Sequence, residues 1–464
     1  MKEFQIDSLE SYPYFHPSQS NSRPHLINYD KQNGRFIGKF LLYQIKTLNL
    51  LHIFGTLNKS KDMIELIDRP TYTERIVPFI DKNIIKVLTG QRRVGKSCIL
   101  RQLQSHVQAM ATNPNIIYIN KELDEFITIR THEDLSAYIS DKLHSDRPNY
   151  LFIDEVQDIQ GFEHTLRNLQ AQNACDIFIT GSNATMLSSE LSTYLSGRYI
   201  EFHIHSLSYL EFLEFHNMQD TTASLRSYLT YGGLPYLRNI PLEQSIVFEY
   251  LRNVYSTIML KDVVKREGIR NVDFLETLAI YTADNVGNLF SANNISKYLK
   301  SQRVNMSPLQ VINYLRFLQN AYLINKVRRI DVNGLQTFEI GEKYYFEDMG
   351  LRNCHMGFNM QRDIHKLIEN AIYLHLSQKQ YEVFTGQQSG GREIDFVARK
   401  NDEIIYIQAT YQMADEATQL REFGNLQAIN NNYPKYVVSL DEWTSGSNVG
   451  GIMHVHLGEF LKGK

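Results

Sequence analysis

The stretch "GQRRVGKS", residues 90 to 97, constrains this chain more than any other. It has the spacing G-x4-G-K-[ST]. It stands between the apolar run "IIKVLTG" and "KSCILRQLQSHVQAM", a segment with the pattern of an amphipathic helix. A strand that feeds a helix through a glycine-bearing loop needs a sheet with helices packed on its faces. Gly90 and Gly95 let backbone amides curl around phosphate oxygens, and the helix N-terminus adds partial positive charge. Gln91, Arg92, Arg93, Val94 and Cys98 complete the expected binding loop. Lys96 would reach the β- and γ-phosphates and Ser97 would hold Mg2+, so ATP and Mg2+ are the expected ligands.

The surrounding pattern agrees. "NIIYIN" (115–120), "NYLFIDEV" (149–156) and "DIFITGSN" (176–183) are short apolar runs separated by helix-like segments, the signature of a mainly parallel sheet covered on both faces. The second of these ends in Asp154 and Glu155. Ligands bind beyond that end of such a sheet, so Asp154 is expected in the magnesium shell and Glu155 beside an attacking water. Asn183 closes the third strand, either to hydrogen-bond the water or γ-phosphate or as an ordinary turn residue. Arg198, in "LSGRY", is either a surface arginine or a finger that neutralises developing phosphate charge.

In this order, "LTGQRRVGKSCIL", "LFIDEVQDI", "ITGSNATML", "YLSGRY" and "YGGLPYL" resemble a bacterial and archaeal group of AAA-type ATPases, labelled only ATP-binding proteins, with a C-terminal domain of unknown function. The likeness runs from about Met63 to the C-terminus. It implies that Arg198 senses or neutralises the γ-phosphate and that Asn183 is a first sensor. It also implies a homo-oligomer, because a finger acting in trans needs a neighbour.

Five segments are expected: an N-terminal extension (1–62), an ATPase core (63–205), a helical lid region (206–290), a winged-helix-like unit (291–350) and a C-terminal α/β domain (351–464). The first differs in texture from the rest, and Met63 reads as a better functional start. The N-terminus lacks the pattern of a signal peptide, and the apolar stretch 40–57 holds Gln44, Lys46, Asn49 and His52, too polar for a bilayer span. Cys98, Cys175 and Cys354 lack metal-type spacing, which fits a reducing cytoplasm.

Net charge is −3, so any nucleic-acid surface has to be local. Residues 291 to 330 offer one, with seven Lys or Arg (Lys297, Lys300, Arg303, Arg316, Lys326, Arg328, Arg329) and no Asp or Glu. Ser307 and Pro308 start a helix whose Val311, Leu315, Leu318 and Tyr322 share one face, with Asn313, Arg316 and Asn320 opposite. A hairpin with Asn333-Gly334 at its tip follows. The pattern suits a winged helix that contacts DNA. It equally suits a lid-side unit whose charges are solvated or meet another domain.

The C-terminal segment suggests a restriction-endonuclease-like fold. Glu369, Asp395 and Gln408 occupy the expected metal-site positions, but Gln408 stands where an acid belongs and Thr410 where a lysine belongs. The charge that would stabilise a phosphodiester-cleavage transition state is therefore missing, and a vestigial, nuclease-derived scaffold is expected in place of an active nuclease. The chain reads as a Mg-dependent ATPase that couples hydrolysis to conformational change, with two alternatives: a nucleotide-dependent assembly switch with little turnover, and an ATP-gated DNA-binding or DNA-cleaving protein.

Overall fold

A computed structural model describes residues 66–184, 194–301, 304–338, 341–355, 358–388, 390–412, 416–441 and 445–463. The N-terminal extension, the apolar stretch 40–57 and Arg303 lie outside these residues.

Five strands build the first sheet: β1 (Ile85–Thr89), β2 (Asn115–Asn120), β3 (Asn149–Asp154), β4 (Asp176–Gly181) and β5 (Tyr199–His203). Their order is β2-β3-β4-β1-β5 and all pairs are parallel. β1 and most of β3 and β4 are buried, which explains why they read as continuous apolar runs and not as alternating ones. The helix Lys96–Met110 follows β1 and buries Ile99, Leu100, Leu103 and Val107. Strand order reverses around β1, whose C-terminal end is therefore a crevice flanked by chain running both ways.

Helices then dominate up to Asn320. One of them, Gln244–Thr257, continues without a break into a π-helix, Ile258–Lys265. The helix Pro308–Asn320 starts as its sequence suggests: Ser307 Oγ accepts the Gln310 amide, and the Gln310 side chain accepts the Ser307 amide at 2.9 Å. Val311, Leu315, Leu318 and Tyr322 are buried, while Leu309, Ile312 and Arg316 are exposed.

The second sheet is mixed and holds eight strands in the order β12-β13-β11-β10-β9-β8-β6-β7. They are β6 (Ile324–Asp331), β7 (Lys343–Phe346), β8 (Glu382–Gln387), β9 (Glu393–Lys400), β10 (Glu403–Ala409), β11 (Lys435–Ser439), β12 (Asn448–Val449) and β13 (Ile452–His456). β8, β9 and β10 form an antiparallel meander, and β10 runs parallel to β11. The helix Met360–Gln378 precedes the meander and Glu416–Gln427 follows it.

The expected hairpin is present, with Asp331 and Gln336 hydrogen-bonded across its tip. It is not a free wing. β6 also pairs in parallel with β8, from Arg328↔Phe384 to Asp331↔Gln387, so strands assigned from sequence to the 291–350 unit extend the C-terminal sheet. Sequence periodicity cannot see this, because partner choice is a long-range property. No helix among the described residues is long and apolar enough to cross a membrane.

Candidate functional site

The loop Gly90–Ser97 sits at the C-terminal end of β1. Its glycines answer to geometry: Gly90 has φ +138°, and a Cβ there would lie 2.2 Å from the Ile204 carbonyl oxygen, while Gly95 has φ +98°. Lys96 is buried, and its ammonium donates to the carbonyls of Gly90 (2.9 Å) and Gln91 (3.0 Å). Burial lowers its pKa, while Glu155 and Asp154 pull the other way. Arg92 forks onto Asp262 of the π-helix, and Gln91 donates to the Tyr322 carbonyl at 2.9 Å. Val94 is buried; Arg93 and Cys98 are exposed.

Asp154 ends β3, and Glu155 leaves the strand in a left-handed conformation at φ 57°. The sequence run "IDEV" suggests a longer strand, but this turn sends the two carboxylates in different directions. Thr180 of β4 joins them: its hydroxyl donates to Asp154 Oδ1 at 2.5 Å and accepts the Glu155 amide at 2.9 Å. Asp154 Oδ2 is buried without a hydrogen-bond partner among the described residues. Burial raises the Asp154 pKa, against the hydrogen bonds from Thr180 and Ser97. A buried, half-satisfied carboxylate beside a serine hydroxyl is a donor set that fits Mg2+. Burial also pushes Glu155 upward, but the Lys96 and Arg92 charges outweigh it and hold the carboxyl below its ordinary value. Gln157 and Ser182 donate to its Oε2.

Asn183 is buried just beyond β4, at the same end of the sheet. Arg198 is elsewhere. It is exposed immediately before β5, whose first residue pairs with Ile85 at the start of β1. Four residue steps lead from Ile85 to Thr89, roughly 13 Å at ~3.3 Å per residue. Arg198 therefore lies at the opposite end of the sheet from its own phosphate loop. The sequence order of motifs carries no information about which end of a strand a residue occupies.

Sequence reasoning missed the loop's supports. Arg69 is buried; it donates to the Val94 carbonyl at 2.9 Å and pairs with Glu211 at 2.7 Å. Pro235 of "GGLP" would touch a Cβ on Gly95 at 3.6 Å. Gly232 and Gly233 allow that approach: the Gly233 amide donates to Asp348 Oδ2 at 2.7 Å, and a Cβ on Gly232 would meet that carboxylate at 2.4 Å. The helical region, the phosphate loop and the start of the helix after β7 are thus tied at one point. A cleft of about 700 Å3 opens beside the loop, between Arg92, Glu155 and Asp158 on one side and Lys261, Asp262 and Lys265 of the π-helix on the other.

A second cluster lies in the C-terminal sheet. Glu369, Asp395 and Glu393 converge on Lys343 of β7, at 3.5, 3.6 and 2.7 Å. Lys343 is buried, and these carboxylates outweigh burial and raise its pKa. Burial raises both Glu369 and Asp395, with Lys343 opposing in each case. Tyr345 also donates to Glu369 at 2.9 Å. Gln408 is turned to the backbone and accepts the Asp395 amide at 3.2 Å, while Asp395 Oδ2 accepts the Ala409 amide at 2.9 Å. Glu369 and Asp395 are brought together and Gln408 is not directed at them. The positive charge absent at Thr410 arrives from Lys343, more than sixty residues earlier in the chain, where no local motif reveals it.

In the basic segment, Lys297, Lys300, Arg316 and Arg328 are exposed. Arg329 instead stacks on Phe338 at 4.9 Å, and Asn320 donates to Glu267 at 3.0 Å, so neither is available as the sequence suggests.

Residues 82–213 match a family described as an AAA domain, and residues 222–362 match a domain of unknown function (DUF8612). An uncharacterized protein of Haemophilus influenzae is 33% identical over 404 residues, covering 85% of this chain and 98% of that protein. The uncharacterized protein MJ1544 of Methanocaldococcus jannaschii is 28% identical over 337 residues, 70% of this chain and 72% of that one. Among solved structures, the Aeropyrum pernix ORC1 protein in complex with DNA aligns with a TM-score of 0.30 at 11% identity, over 67% of this chain and 95% of that one. Thermotoga maritima RuvB aligns with a TM-score of 0.30 at 16% identity, over 56% and 90%.

Proposed function

The chain belongs to the same family as the uncharacterized Haemophilus influenzae protein and carries an AAA domain, and from that premise we propose that it binds ATP at Gly90–Ser97 and hydrolyses it to ADP and phosphate. The observation that carries this reading is the convergence of the buried Lys96, the half-satisfied Asp154 and the ionised Glu155 at one sheet end. Lys96 exchanges its two carbonyl partners for β- and γ-phosphate oxygens, which cost it nothing in hydrogen bonds and satisfy its charge better. Ser97 and Asp154 would hold Mg2+, which when bound supplies positive charge to the phosphate oxygens. Glu155 orients water for attack on the γ-phosphorus; its lowered pKa keeps it a hydrogen-bond acceptor at neutral pH. Asn183, buried just beyond β4, would assist. Arg198 would serve a neighbouring copy's nucleotide, which makes a homo-oligomer part of the proposal.

The motion would pass through Arg92 and Asp262 to the π-helix and through Gly232–Pro235 to the C-terminal sheet. The latter runs helix, three strands, helix, strand, an order that agrees with the restriction-endonuclease-like reading of the sequence. Lys343 removes the argument from a missing charge, but its ion pairs with Glu369, Glu393 and Asp395 engage the carboxylates that a metal would need, which supports a scaffold reading over cleavage. A second reading, DNA contact, rests on the exposed Lys297, Lys300, Arg316 and Arg328 in a segment without acids. Charge reversal at Arg316 and Arg328 would abolish DNA retention in a binding assay if this reading is right and leave it unchanged if it is wrong. The ATP reading is tested by thermal shift: ATP raises the melting temperature of the wild type and not of Lys96→Ala. Equal shifts would refute it.

A further inference from the structure

At the far edge of the first sheet, β5 ends at His203, the first residue of "HIH", with His205 two residues further on and the two rings 4.4 Å apart. Glu347, just past β7 of the second sheet, meets both. Its Oε1 lies 2.6 Å from His205 Nδ1 and 3.6 Å from His203 Nε2, and the three atoms fall within 4.8 Å of one another. Glu347 is fully buried. Its other oxygen accepts from Asn325 at 2.6 Å. Among the described residues its ion-pair partners are these two imidazoles, with no lysine or arginine. A buried carboxylate needs a cation or a full set of donors.

The Thr89 hydroxyl donates to Glu201 Oε1 at 2.6 Å, and its oxygen lies 3.3 Å from His203 Nδ1. With the imidazole turned this way, Nε2 faces Glu347 Oε1 at 3.6 Å. That distance is longer than a normal hydrogen bond. It is close to the ligand–ligand edge of about 3.3 Å that metal–ligand bonds of ~2.0 Å produce in a tetrahedron. The Thr89–Glu201 pair behind His203 is the kind of outer support that orients a metal-bound imidazole.

We propose that His203, His205 and Glu347 form a binding site for a divalent transition metal of the zinc class, which joins the edge of the ATPase sheet to the C-terminal sheet. Two imidazoles and one carboxylate suit Zn2+ and disfavour Mg2+, which prefers oxygen ligands. His203 is a quarter exposed on its side chain, which leaves an open side for entry and for a fourth ligand. Binding requires the His205–Glu347 contact to widen by less than 1 Å, and displaces the proton between them. The site rests on geometry separate from the nucleotide's ligands, although Thr89 directly precedes Gly90.

The test uses the full chain, stripped with a chelator and kept free of nucleotide and Mg2+. Zn2+ is titrated calorimetrically, and Co2+ is followed by its visible absorption, for wild type, His203→Gln and Glu347→Gln. Expected are one Zn2+ per chain that raises the melting temperature, and a four-coordinate cobalt spectrum. In His203→Gln the affinity falls by at least about tenfold and the cobalt spectrum is lost. His203 is partly exposed, so this variant decides the matter even if Glu347→Gln fails to fold. Absence of Zn2+ uptake by wild type, or unchanged affinity in His203→Gln, overturns the proposal and makes the cluster a histidine–carboxylate ion pair.

Discussion

The Arg92 guanidinium grips the Asp262 carboxylate with two parallel hydrogen bonds, Nε to Oδ2 at 2.9 Å and Nη2 to Oδ1 at 3.0 Å. One residue belongs to the phosphate loop, the other to a π-helix 170 residues later. π-Helices are rare and concentrate at functional sites, and this one faces the cleft beside Glu155. The pair thus ties the phosphate loop to the helical region, beside the contacts of Gln91 with Tyr322 and of Gly95 with Pro235.

Asp262→Asn keeps the shape of this link and removes its charge. Asp262 is 1% exposed, so its loss leaves Arg92 with weaker partners. The expected cost is about 1–3 kcal/mol, read as a lower melting temperature without nucleotide. Arg92 also lies 3.5 Å from Glu122, and a melting temperature equal to wild type would mean that Glu122 and solvent hold it equally well.

Gly232→Ala tests whether "GGLP" supports the loop. A Cβ at 2.4 Å from the Asp348 carboxylate, on a residue with φ +76°, forces one of the two to move. Loss of more than about 2 kcal/mol is expected, with a smaller ATP-induced thermal shift. Wild-type stability would show that Asp348 relocates freely.

Lys343→Met removes the cation from among Glu369, Glu393 and Asp395. Breaking such a buried arrangement costs roughly 3–5 kcal/mol. The loss should be larger at pH 8 than at pH 5, because protonation relieves the repulsion between the carboxylates. Adding Glu369→Gln should restore part of it. A loss independent of pH would refute the charge argument.

His375 sets an acid limb. Burial, then the Lys379 charge, lowers its pKa from 6.5 to about 4. The folded value lies below the unfolded one, so the unfolded chain takes up the proton first as pH falls. This contribution is complete above about pH 6.5 and is lost toward pH 4, by up to roughly 3 kcal/mol. His375→Gln should flatten the difference in melting temperature between pH 7 and pH 4.5; an unchanged slope would assign the acid limb to other groups.

The first sheet was legible because burial on both faces writes unbroken apolar runs, and the phosphate loop because its glycines and lysine are adjacent in sequence. Asp154 and Glu155 were readable as a pair, but not their divergence, which depends on one left-handed residue. Arg69, Asp262, Lys343 and Glu347 escaped notice because each acts on a partner far along the chain. The placement of Arg198 at the far sheet end and the pairing of β6 with β8 were hidden for the same reason: strand register and direction are tertiary facts.

The central claim is ATP hydrolysis at Lys96, Asp154 and Glu155. Its most direct test is phosphate release from ATP by the purified full chain, beside Glu155→Gln and an ATP-binding measurement on both. The account predicts turnover by wild type, and ATP binding retained in Glu155→Gln with a rate lower by about 100-fold or more. Tight ATP binding without phosphate release by wild type, or an undiminished rate in Glu155→Gln, would contradict it.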